Sequence, residues 1–302
     1  MLKLTPNAFG CAAAFVKKHA RPIDQRLFEY HFESGSSEAV IAAVANYQNS
    51  DGGFGHSLEP DFRLAASSPL ATTVAFQYLV EVNARPDHPV VQAGIGYLVN
   101  TFDSAHHVWA SVPAAVNDVP HAPWWHYTQA PVRFQPNCSA ECIAYLNAYP
   151  ALVAPAFLAE VNALALAHLV NMPDEFEVHD LLCYLRLAQE ISTPLDILIL
   201  SKLRRAVPAL VTRDPAQWSA YSVKPLTLAP TPYSPLADLL EDLLPLNLDH
   251  EIEHQSPAGS WLPTWSWPTD REIWPEVCLE WQGYLTVRTL HTLQTFGRIE
   301  GM

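Results

Sequence analysis

Residues 48–63 read QNSDGGFGHSLEPDFR and gather groups able to move protons: His56, Glu59, Asp61 and Arg63. An extended backbone around Pro60 would aim alternate side chains to one side and hold Glu59 and Asp61 roughly 6–7 Å apart. Two carboxylates so placed can divide into proton donor and base, with Arg63 to hold an anionic group. A salt-bridge network within the loop is the competing reading. A second loaded stretch, HAPWWHYTQAP, supplies His121, Trp124, Trp125 and His126, and a third supplies Trp261, Trp265 and Trp267. Imidazoles exchange protons near neutral pH, which makes His56 and His126 the acid/base candidates beside Glu59 and Asp61. Indoles form walls for an apolar chain, a carbocation or the face of a sugar. His121, Trp124, Trp125, Trp265, Trp267 and Arg63 are accordingly the ligand-contacting candidates.

Such groups need a frame, and the sequence provides helices. Apolar residues recur at helical spacing over 7–19, 23–32, 37–47, 69–81, 89–102, 137–148, 155–170, 173–191, 194–211, 235–244, 246–253 and 275–296, while period-two runs are scarce. Proline begins many of these segments and Gly297 ends the last. Ser68 before Pro69 is a helix cap, and Thr72, Thr73 and Gln77 give the helix behind it a mixed face suited to lining a cavity. The connection over residues 103–136 is long for an idle loop.

The first stretch has an echo. QSPAGSW at 255–261 repeats Gln, then Gly four residues on, then an aromatic six residues on: Gln48, Gly52 and Phe54 against Gln255, Gly259 and Trp261. The two motifs are roughly 200 residues apart, about four periods of a ~50-residue helical hairpin. Six hairpins in one domain, residues 1–302, would pack as a ring of inner helices inside a ring of outer ones, with loops gathered at one rim.

At QNSDGGFG and QSPAGSW the chain resembles the QW-type repeats of the terpenoid cyclase and protein prenyltransferase superfamily. That resemblance implies an all-α fold, an α/α toroid, with an apolar, isoprenoid-like small molecule in its cavity. The superfamily's chemistry is not carried over residue by residue. The D-x-D-D acid of class II cyclases is absent, and the Asp-x-Cys zinc pair of prenyltransferases has only Glu276-Val277-Cys278 as its counterpart. His291 lies 13 residues beyond Cys278, about 20 Å along the same helix. Cys138 with Cys142, and His179 with Cys183, share helix faces and read as buried thiols on a core, with Glu141 and Asp180 on a polar face. No cofactor or metal is expected.

Composition narrows the partners. With 17 Lys plus Arg against 31 Asp plus Glu, the formal charge of −14 repels nucleic acid and anionic lipid. Five cysteines without a CxxC pair fit a reducing, cytoplasmic setting. The N-terminal run AFGCAAAFVKK has its charges in the wrong order for a secretory signal, and no window spans a membrane. The leading expectation is thus a cyclase- or prenyltransferase-like protein holding an apolar ligand. The alternatives are a carbohydrate-active (α/α) barrel, whose acidic loops act on a glycosidic bond, and a non-catalytic toroid that binds a partner protein. Protein purified without added metal is expected to carry no stoichiometric zinc, because a catalytic zinc takes three protein ligands. Elemental analysis checks this; stoichiometric zinc that disappears in Cys278→Ala would establish the prenyltransferase-like site instead.

Overall fold

The computed structural model describes residues 1–129 and 133–302. Twelve α-helices account for the regular structure of the described residues: α1 Pro6–His19, α2 Pro22–Phe32, α3 Ser37–Ala45, α4 Pro69–Glu81, α5 Pro89–Asn100, α6 Pro136–Ala148, α7 Pro155–Asn171, α8 Val178–Glu190, α9 Leu195–Leu210, α10 Pro225–Leu228, α11 Leu244–Glu253 and α12 Trp274–Thr295. Extended pairing among them is confined to isolated bridges. The expectation of an all-α chain is met.

Capping explains where the helices begin and end. Ser68 Oγ accepts from Ala71 N at 3.0 Å, which opens α4 where Ser68-Pro69 predicted. The segment expected to start at residue 173 becomes helical only at Val178, because the Glu177 carboxylate takes the amides of His179 and Asp180 and fixes the first turn there. The helix expected over 235–244 reduces to a short 3-10 turn, Ala237–Leu240, between Pro235 and α11. At the far end of α12, Gly297 has φ +64°, and the amides of Gly297 and Arg298 return to the carbonyls of Gln294 and Leu293. That is the six-to-one and five-to-two bonding that closes a helix through a left-handed glycine.

The chain forms two compact units. One is continuous, Ser37–Ala206; the other joins Met1–Ser36 to Val207–Met302. In the continuous unit α6 is buried on nearly every side and packs along α8 and against α4 and α7. In the split unit α12 packs against α1 and α2.

The echoing motifs fold alike, one in each unit. Gln48 Nε2 donates to Gly52 O at 2.9 Å and to Val90 O, in the first turn of α5, at 3.0 Å. Gln255 Nε2 donates to Gly259 O at 2.9 Å and to Ala8 O, in the first turn of α1, at 3.0 Å. Two residues beyond each glycine an aromatic amide donates to a threonine hydroxyl: Phe54 N to Thr72 Oγ1 at 3.1 Å, Trp261 N to Thr286 Oγ1 at 3.2 Å. Each threonine in turn donates to the carbonyl four residues back, Ser68 O and Gln282 O. Each motif is therefore a clasp tying a turn to two helices, α5 and α4 in one unit, α1 and α12 in the other.

The glycines are required twice over. Gly52 and Gly259 have φ +88° and +93°, and a Cβ at either would strike helix backbone, Ala93 O in the first case and Cys11 C at 2.5 Å in the second. Gly259→Ala is expected to cost about 3 kcal/mol, from left-handed strain and overpacking together. Gly10→Ala, at an exposed helical position with open space around it, is expected to stabilise by about 0.5–1 kcal/mol. Urea unfolding of both variants checks the pair.

Candidate functional site

In the continuous unit the clasp delivers the chain into the loop that carries the candidate acids. Asn49 Nδ2 donates to Ala65 O and Ser67 Oγ, both at 3.0 Å, and Asp51 Oδ1 accepts from Gly53 N at 3.0 Å and Ser67 Oγ at 2.8 Å. The loop is thereby folded back on its own exit. His56 sits exposed at φ +53°, its Nε2 at 2.9 Å from Asn49 Oδ1. An amide oxygen only accepts, so that nitrogen carries the proton and Nδ1 the lone pair.

The extended backbone expected around Pro60 is not what forms. Phe62 N donates to Glu59 O, making residues 59–62 a turn with proline at its second position. Proline fixes φ near the value this position needs, so the residue that excludes helix also favours the bend. Glu59 and Asp61 are buried, 8% and 4% exposed. The Asp61 amide donates to Glu59 Oε1 at 3.4 Å, and Arg63 is half-buried.

Immediately after this turn the two loaded loops meet. Arg63 N donates to Pro120 O at 2.9 Å and Ala122 N to Asp61 O at 2.8 Å, with Phe62 opposite His121 in an antiparallel bridge. Side chains directly opposite each other leave the same face, so Phe62 and His121 share one side and Asp61 and Arg63 take the other. Trp125 stands edge-on to Phe62 at 6.2 Å between centroids. The indole Nε1 of Trp125 is shielded and has no hydrogen-bond partner among the described residues. Trp124 next to it is 49% exposed. Asn117 holds the far side of the loop, donating to Tyr127 O at 3.0 Å and accepting from Tyr127 N at 2.9 Å. The loop's Ala130 and Pro131 lie outside the described residues.

Hydrogen bonding fixes the proton positions on the histidine pair. His121 Nδ1 lies 2.7 Å from Val119 O, and a carbonyl only accepts, so Nδ1 is protonated. In the neutral ring Nε2 then holds the lone pair, and it lies 3.0 Å from His126 Nδ1. His126 must donate there, which leaves its own Nε2 as a basic nitrogen on an exposed residue. A chain runs from carbonyl through His121 to His126, with the orienting group behind the base as general-base catalysis requires.

The tryptophans of the third stretch belong to the split unit. Trp261 is buried and donates Nε1 to Glu251 O at 2.8 Å, a packing role. Trp267 is 2% exposed and lies 6.1 Å from Trp274, so it is a core side chain and not an open stacking surface. Trp265 is half-buried, edge-on to Trp281 at 5.0 Å. Cys278 Sγ accepts from Gln282 Nε2 at 3.4 Å, and His291 follows on the same unbroken α12.

The residue that sequence reasoning misplaced is Glu141. Assigned to a polar face, it is 3% exposed and forms the centre of a buried network. Its Oε1 accepts from Gln77 Nε2 at 2.8 Å and Tyr145 OH at 2.7 Å; its Oε2 accepts from Arg186 Nη1 at 3.1 Å and faces Cys183 Sγ at 3.4 Å. One carboxylate thus links α4, α6 and α8. With donors on both oxygens it is occupied as an acceptor and has a positioning role. Cys138, Cys142 and Cys183 are the buried thiols expected, and burial pushes the thiols of Cys142 and Cys183 up, which keeps them protonated and unreactive. The signal available in NCSAECIAYL was a lone charged residue in a segment otherwise without charge.

Glu141→Ala is expected to cost about 3 kcal/mol, the low end for breaking a buried ion pair because Arg186 keeps part of its hydration. Glu141→Gln should lose less, since the amide oxygen still accepts. Denaturant midpoints distinguish the two. No family model, curated protein or solved structure matches the chain.

Proposed function

We propose that the chain is a terpenoid cyclase- or prenyltransferase-like α/α toroid that binds a small apolar, isoprenoid-like molecule, with residues 48–63 and 121–126 at its mouth. His126 exchanges the proton, His121 orients it, and Trp124 and Trp125 form the wall against which the ligand lies. The repeated clasp supports the toroid, because repeats of this kind build a closed core by stacking like units. The single observation that carries the reaction class is the hydrogen-bonded imidazole pair with its basic nitrogen on the exposed residue. Removing a proton from the carbon next to a carbocation, which leaves an alkene, is a step such a base can serve. The five free thiols fit a cytoplasmic protein. Among the described residues no helix is long and apolar enough to cross a membrane.

Trp124 supports a second reading. An indole half open to solvent also suits stacking on a sugar ring, the carbohydrate-active alternative.

Titration of the intrinsic tryptophan fluorescence separates the two. An isoprenoid alcohol is expected to quench it saturably, with binding weakened about tenfold in Trp124→Ala, an aromatic contact's worth of 1–1.5 kcal/mol. His126→Ala should bind as the parent does and lose about 100-fold or more of any turnover. Saturable quenching by an oligosaccharide and none by the alcohol would transfer the assignment to the second reading. Mass spectrometry of molecules that copurify with the protein identifies the ligand directly.

A further inference from the structure

In the split unit, outside the proposed mouth, a serine and a histidine stand in the relation that activates a nucleophile. Ser219 Oγ lies 3.2 Å from His254 Nε2, and His254 Nδ1 lies 2.8 Å from His250 O. The carbonyl only accepts, so Nδ1 carries the proton, Nε2 carries the lone pair, and the serine hydroxyl donates to it. We propose that Ser219 and His254 form a nucleophile–base pair for acyl transfer, hydrolysing small esters.

Both residues are held by buried structure while remaining exposed themselves. Ser219 follows a 3-10 turn, Pro215–Gln217, that is capped by Asp214 and anchored through Trp218, which is fully buried and donates Nε1 to Thr212 O at 2.7 Å. Thr212 N donates to Val223 O at 2.9 Å and closes the base of this loop. His254 ends α11, and its ring stacks on His250 at 3.7 Å between centroids, with His250 edge-on to Trp218 at 5.6 Å. Burial, and then the neighbouring His254, lower the His250 pKa, which favours a neutral His250 ring in the stack. The Ser219 amide has no acceptor among the described residues, which leaves it available to an oxyanion as a nucleophile's own N–H is in acyl-transfer sites. Tyr221, 61% exposed and edge-on to Trp265, offers an aromatic surface two residues away for an aryl group.

The chemistry closes on these groups with water as the co-substrate. Ser219 Oγ bonds to the ester carbonyl carbon as its proton passes to His254 Nε2. The carbon–oxygen bond to the alcohol breaks, and that proton goes to the departing alcohol. Water, deprotonated by His254, then attacks the acyl-serine and releases the carboxylic acid, returning the proton to Ser219. A carbonyl in place of a carboxylate behind the histidine orients the ring but leaves the imidazolium less stabilised, so slow turnover is expected.

The test uses the full chain and a fluorophosphonate probe, with p-nitrophenyl acetate as substrate. Peptide mass spectrometry is expected to find the phosphonyl adduct on Ser219, and ester hydrolysis should exceed that of Ser219→Ala. His254→Gln keeps a side chain able to hydrogen-bond but removes the base, and should slow labelling about 100-fold. Circular dichroism of both variants establishes that they are folded, as the exposure of both positions leads one to expect. No adduct on Ser219, or an adduct formed at an unchanged rate in folded His254→Gln, overturns the proposal.

Discussion

One primary amide per unit carries a large share of the organisation. Gln48 and Gln255 each spend both N–H bonds of the side chain, one on the glycine carbonyl of their own turn and one on a carbonyl in the first turn of a helix remote in sequence. A carbonyl there already accepts an intrahelical bond, so the glutamine uses its second lone pair and joins elements without breaking the helix ladder. The arrangement works only if the turn approaches the helix closely, hence glycine, and only if the following amide finds an acceptor, hence the threonines of α4 and α12. A Gln, Gly, aromatic spacing is in this sense a set of distances written in sequence.

That is why the helical class and the repeated spacing of the two clasps are legible in the sequence. Local rules suffice for both: the apolar period that gives helices, the serine–proline cap at residue 68, the glycine that ends α12, and the spacing shared by the two motifs. The same local rules failed where two local conformations competed or a tertiary partner decided the outcome. Pro60 restricts the residue before it to extended conformations, which is as compatible with the first position of a turn as with a strand, and the hydrogen bond from Phe62 N to Glu59 O selects the turn. Glu141 lies on a helix whose polar face exists only if nothing covers it; Gln77 from α4 and Arg186 from α8 cover it. Trp267 followed the rule that indoles gathered in a loop serve a ligand, yet it is buried, with Trp274 beside it.

The candidate site divides along the same line. The residue types of the candidate site, imidazole, carboxylate and indole, could be read from composition and spacing, and so could the idea that residues 48–63, the loop of His121 and the loop of Trp261–Trp267 belong together, of which the first two are seen to pair. What sequence could not supply is the pairing that joins them, Arg63 N to Pro120 O and Ala122 N to Asp61 O, since a two-residue ladder between irregular segments has no periodic signature. Nor could it order the roles of His121 and His126. That order follows from a single carbonyl, Val119 O, whose inability to donate propagates through two rings and determines which nitrogen is basic.

The split unit holds its two ends side by side: Leu4 N donates to Arg298 O, Glu300 N donates back to Leu4 O, and Gln255 reaches Ala8. During synthesis α1 and α2 leave the ribosome long before α12 exists, so for most of translation the carbonyls and apolar faces they will share have no partner. The continuous unit, Ser37–Ala206, is under no such delay and can fold while the rest is still being made. The first helices must therefore remain unfolded, chaperoned or loosely collapsed until the last hundred or so residues arrive.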